Sequence, residues 1–189
     1  MASPPGPPFQ PWSEDPLQGL ARELRQGAGA ELRAEAEIAE LETEIGRLRH
    51  RTSSDLAREA AMRGDRVSMV IQGRTITGRV VHVGRDYLSV ETPTEHADAR
   101  LDRIALVLTP GREGGVTPRG GSITFKARMS EYEQTGETVE LVATSLAFSV
   151  RGTIEVVATD HVIVRDVDGT RTSLPAELID LALRPRRPR

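Results

Sequence analysis

The sequence predicts a mainly β protein with an N-terminal helix, followed by two tandem five-stranded small barrels. Three observations carry this. The stretch ITGRVVHVGRDYLSV at 76–90 has a near-double in VRGTIEVVATDHVIV at 150–164, and self-similarity along a chain marks a repeated structural unit. Both copies alternate apolar and polar residues around a central glycine, Gly78 or Gly152, which is the pattern of a half-buried strand that bends. Ahead of both, Ala34, Ile38, Leu41, Ile45 and Leu48 are spaced 4, 3, 4 and 3, the seam of an amphipathic helix.

In chain order, residues 1–14 are Pro-rich and bury too little to fold, so they read as a disordered arm. A helical arm is expected over 15–51, with Asp15 as N-cap, Pro16 at the first helical position and Gln18 closing a capping box. Its sharpest part is the seam from Ala34 to Leu48, with Ile at a and Leu at d. In a parallel pair the flanks set Glu37 against Glu42 and Glu44 with Arg49. The same seam also suits a helix packed on its own domain.

The first barrel repeat, 52–109, opens with a lead helix at Asp55–Arg63 stopped by Gly64. A Gly/Pro/Arg linker at 110–121 separates it from the second repeat, 122–185, whose lead helix runs from Thr124 to Gln134. Residues 186–189 form a basic tail. Within each repeat a first strand is expected at 66–71 or 138–143, and a long bent second strand around Gly78 or Gly152. A third follows at 87–91 or 161–165, and a hairpin with the Asp168-Gly169 turn signal leads to the fourth in copy two. The fourth and fifth are parted by a short turn such as Pro175-Ala176-Glu177.

Comparing the copies assigns faces. Val80/Ile154, Val83/Val157, Leu88/Val162 and Val90/Val164 stay apolar and should point inward, whereas Arg79/Thr153 and Val81/Glu155 exchange freely and should face water. Asp86 and Asp160 precede the third strand, where a short acid can cap the turn. Leu101, Ile104 and Leu106 align by type with Leu174, Ile179 and Leu181. Barrels this small bury little core alone, so the two repeats are expected to pack together and consume one exposed edge of each.

A lead helix followed by GDRVSMV, TGRVVHVGRDYLSV and LDRIALV resembles the Sm-like (SH3-like) five-stranded barrels, over about two thirds of the chain. The layout of acidic Trp-containing N-terminus, charged helix and barrel is also similar to a group of uncharacterised actinobacterial proteins. The resemblance implies the fold directly. Its RNA-binding members carry an Asn after the Asp; here Tyr87-Leu88-Ser89 and His161-Val162-Ile163 follow instead.

Composition narrows the function. Cysteine is absent, which excludes disulfides, thiolate metal sites and Cys nucleophiles. Aromatics are 3% of the chain, so stacking platforms for bases are scarce, and the net charge of −3 provides no global pull toward phosphate. Residues 64–109 carry six basic and six acidic groups, and 122–185 carry six against ten. A phosphate-binding face should be distinctly basic. His82 with His96, Asp98 and Glu95 is the sharpest candidate metal set, but the counterpart of His82 is Val156, which shows apolar packing is tolerated there. No phosphate loop, nucleophile elbow or two-His helix is present, so neither catalysis nor a cofactor is expected. The N-terminus lacks a signal-peptide pattern, and no stretch reaches the roughly 18–20 apolar residues of a membrane span. A cytoplasmic protein follows as the expectation.

The leading reading is a non-catalytic interaction or adaptor protein. Its partner or dimer face is Ala34, Ile38, Leu41, Ile45 and Leu48. The second reading is an Sm-like nucleic-acid-binding regulator, with Arg74, Arg79, Arg85, Arg186, Arg187 and Arg189 on phosphates.

Overall fold

The computed structural model describes residue 35 and residues 37–111, 114–115, 117–118 and 123–186. The Pro-rich segment 1–14, the helix start at Asp15, Ala34 of the seam, and Arg187 and Arg189 of the tail lie outside the described residues. Contacts divide the chain into two units, Met1–Arg51 and Thr52–Arg189. In the first, residues 37–49 form helix α1, with a Glu44–Arg47 ion pair of 2.9 Å on its surface.

The second unit opens with helix α2 (Ser53–Arg63). The Thr52 hydroxyl accepts from the Asp55 N–H while the Asp55 carboxylate accepts from the Thr52 N–H, a complete capping box. Gly64 ends the helix in the left-handed region at φ 77°. Five strands follow: β1 (Arg66–Ile71), β2 (Arg74–Val83), β3 (Tyr87–Glu91), β4 (Glu95–Arg100) and β5 (Ala105–Thr109). The second half repeats the plan with helix α3 (Phe125–Thr135), then β6 (Thr138–Ala143), β7 (Phe148–Val157), β8 (His161–Arg165), β9 (Arg171–Pro175) and β10 (Leu181–Pro185). The strands expected at 66–71, 138–143, 87–91 and 161–165 form with those bounds.

All ten strands join one antiparallel sheet in the order β5-β1-β2-β3-β4-β10-β6-β7-β8-β9. The expectation of two separate five-stranded barrels therefore holds only as two five-stranded halves. β4 does not return to β5 of its own half; it pairs with β10 of the other, and the sheet stays open at β5 and β9. One edge of each half is thus consumed, as the small core of each repeat led us to expect.

The second strand of each half bends at the same place. A β-carbon on Gly78 would come within 2.3 Å of the Glu91 carbonyl oxygen, and one on Gly152 within 2.1 Å of that of Arg165. Neither position can hold a side chain. Each strand then bulges between Val80 and His82 or between Ile154 and Val156, so Val81 and Glu155 are the extra residues, and bulges sharpen strand curvature. Of the residues the copy comparison assigns inward, Val80, Val83, Leu88, Val90, Ile154, Val162 and Val164 are buried, and Val157 is partly buried against the second core.

Two expectations from sequence fail. The Asp86 carboxylate does not cap the turn before β3; it accepts the Phe125 N–H at 2.8 Å, holding the first residue of α3. Asp160 instead meets His161 Nδ1 at 2.7 Å. The alignment of the last strands by residue type is also wrong. Leu88 lies opposite Ala99 and its counterpart Val162 opposite Leu174, so Leu174 corresponds to Ala99, not to Leu101. Met69 faces Leu106 while its counterpart Leu141 faces Ala182, so Ala182, not Leu181, takes the place of Leu106. A one-residue slip turns every side chain of a strand to the other face. Leu181 and Leu183 thereby point away from their own half and enter the first half's core, beside Val90, Ala97 and Ala99, while Ala182 joins the second core.

Candidate functional site: the seam between the halves

The seam begins with β4 and β10, paired from Leu181 opposite Ala99 to Pro185 opposite Glu95. Ladder bonds alone would hold any two strands together. What particularises this join is a buried acid. Asp98 is fully buried on β4, and its carboxylate accepts from Ser89 Oγ on β3, Arg128 Nε on α3 at 3.0 Å, and the Tyr132 hydroxyl. Arg128 also holds Glu131, and its guanidinium lies 4.6 Å from the Tyr132 ring centre. Burial works against the charge on Arg128, yet Asp98, Tyr132 and Glu131 together outweigh it and hold the guanidinium above its ordinary value. Burial first, then the neighbouring Asp98, pushes the Tyr132 phenol well up, so it stays a proton donor. A buried charge persists only when it is paired and hydrogen-bonded. Ser89 of its own half gives Asp98 one hydrogen bond, but the charge partner, Arg128, comes only from a helix of the other half.

Sequence reasoning considered Asp98 only as part of a metal set and passed over Arg128 and Tyr132. The signal was in the duplication. The counterparts of Asp98, Arg128 and Tyr132 are Ser173, Leu56 and Ala60, so all three change together. Residues that exchange as a group between copies point to a contact that one copy makes and the other does not.

On the outer rim of the seam an open groove of about 520 Å³ is lined by Glu91, His96, Gly136, Glu137, Arg184 and Arg186 among others. Its charges pair off: Arg184 with Glu137 at 2.7 Å, Arg186 with Glu91 at 3.2 Å, and His96 Nε2 lies 3.8 Å from Glu91. Burial, then the nearby Arg184, keeps the His96 imidazole below its ordinary value. With each cation matched by an acid, the groove has no net charge to offer a phosphate.

The residues weighed as a metal set do not converge. His82 stacks near Tyr87, ring centres 5.2 Å apart, His96 lines the groove, and Asp98 is engaged by three donors. Among the described residues no group of three His, Asp or Glu could hold a metal ion. The arginines of the nucleic-acid reading are scattered. Arg74 starts β2, 3.9 Å from Glu95, whereas Arg79, five residues on, takes the opposite strand parity and reaches the Gly114 carbonyl. Arg85 sits in the turn after β2, and Arg186 is held by Glu91.

The proposed partner face lies on one helix. Ile38, Leu41, Ile45 and Leu48 of α1 are 56%, 62%, 46% and 49% exposed. No described helix is long and apolar enough to cross a membrane.

Glu155, the bulge residue of β7, clamps both Arg165 on β8 and Arg171 on β9. The bonds from Arg171 and then Arg165 hold its carboxyl down at about 2, against an ordinary 4.5. A depressed carboxyl stabilises the fold above its unfolded value, and that contribution disappears as pH falls from 4.5 toward 2. In Glu155→Gln, acid unfolding followed by circular dichroism should lose part of its pH dependence in this window. Curves that superimpose on the parent would show that the clamp contributes nothing.

No protein-family model matches the chain, and no curated protein is similar to it.

Proposed function

We propose that the protein is a non-catalytic interaction protein, in which two Sm/SH3-like small-barrel units form a rigid body and α1 is the helix through which it self-associates. The observation that carries this is the apolar row Ile38, Leu41, Ile45 and Leu48, on one face of α1 and about half exposed or more. An isolated exposed leucine is ordinary, but four large aliphatics in heptad register form a seam that water disfavours and a second helix covers well. The groove at the seam, whose charges pair off, offers no comparable feature.

The test is mass in solution. At tens of micromolar the full chain should sediment above its 20.6 kDa monomer, and Leu41→Glu with Ile45→Glu should remove the part of that association due to α1. A parent whose mass the double substitution leaves unchanged would overturn the role of the seam.

A further inference from the structure

The join between the halves is heterologous: it unites β4, the fourth strand of one half, with β10, the fifth of the other. Such a join uses two different surfaces, so among the described residues it leaves one of each kind without a strand partner at the far ends. Those ends are β9, the counterpart of β4, and β5, the counterpart of β10. Edges of this kind invite another strand unless something blocks them.

We infer that β9 of one copy of this chain pairs antiparallel with β5 of the next, repeating between molecules the join that β4 and β10 make within one.

The internal register dictates the external one. Leu183 lies opposite Ala97. The counterpart of Leu183 is Val107, since Leu183 faces Glu140 as Val107 faces Ser68. The counterpart of Ala97 is Thr172, since Ala97 faces Val90 as Thr172 faces Val164. Val107 therefore falls opposite Thr172. Exposure agrees with an unfilled place: Leu183 is 3% exposed in the first half's core, while Val107 is 50% exposed. In the pairing, Val107 enters the second half's core beside Leu174, as Leu183 enters the first.

The chemistry facing the edge has been changed in concert. Where Asp98 meets Arg128 inside the molecule, the external pairing brings Ser173 to Leu56 of the next copy, which is 36% exposed. An acid kept alone at the open edge would be a buried, unpaired charge in any assembly; its loss together with its arginine leaves a neutral join. Pro175 stands where Arg100 gives its N–H to the Asp180 carbonyl, and proline has no N–H to repeat that bond. The external join therefore lacks the ion pair and one ladder bond of the internal one, and it is the weaker, reversible version.

Because the chain has no cysteine, the register can be read by crosslinking. The full chain carrying Val107→Cys and Thr172→Cys should oxidise into a ladder of covalent multimers, seen on non-reducing gels. Thr109→Cys with Thr172→Cys is two residues out of register on the same face. That is about 7–8 Å away, beyond disulfide reach, and it should give at least tenfold less ladder. The same ladder should persist with Leu41→Glu and Ile45→Glu, which separates this join from the α1 seam. No ladder, an intramolecular bond only, equal ladders from both pairs, or loss of the ladder on substitution of α1 would each overturn the pairing.

Discussion

Replacing Asp98 with Ala should lower the unfolding free energy by about 3 kcal/mol, the lower end for breaking a buried charge pair. The lower end applies because Arg128 keeps Glu131 as a partner. The loss has two parts. Ser89 and Tyr132 are left with buried hydroxyls and no acceptor, and Arg128 is left in a seam built to neutralise it. Urea unfolding measures it directly. The double variant Asp98→Ala with Arg128→Met should recover part of the loss, because removing both charges spares the desolvation of one. A single Asp98→Ala within about 0.5 kcal/mol of the parent, the spread expected of a surface change, would mean that the network does not bind the halves together.

Leu181→Ala should cost about 2–5 kcal/mol, the range for deleting a buried leucine. Leu181 is 1% exposed and sits among first-half side chains although it belongs to the second half. Its effect should therefore appear far along the chain. Amide exchange should quicken in β3 and β4, with Leu181 opposite Ala99, as well as in β6. Confinement of faster exchange to β6–β10 would show that the first core does not depend on β10. Both substitutions bear on the same claim, that the halves fold as one cooperative body.

Local structure was well legible in the sequence. Strand bounds followed from period-2 alternation and the end of the first lead helix from Gly64, because caps and periodicity depend on near neighbours, whereas its start was read at Asp55, two residues after the Ser53 that Thr52 caps. Gly78 and Gly152 were legible as bends for the same reason, although the cause proved to be the carbonyl of the neighbouring strand pressed against each glycine. Asp86 was misread because its partner, Phe125, lies 39 residues away. The seam was missed because Asp98, Arg128 and Tyr132 come from two halves, and only the set of differences from Ser173, Leu56 and Ala60 hinted at a shared contact.

By itself the sequence indicated ten strands, two lead helices, the apolar row on α1 and a repeated pattern of residues, since each rests on residue type and short-range spacing. Tertiary structure alone decided which strand takes which edge. A five-stranded half has two unpaired edges of similar backbone chemistry, and nothing local states that β4 joins β10. It also decided the register of that last strand. Alignment by type sets Leu181 against Leu106, both apolar and equally suited to a core, whereas the pairing shifts the strand by one residue. That shift turns Leu181 and Leu183 into the neighbouring half and leaves Val107 exposed at the open edge. Side-chain direction in a strand depends on parity, and parity is set by the partner strand.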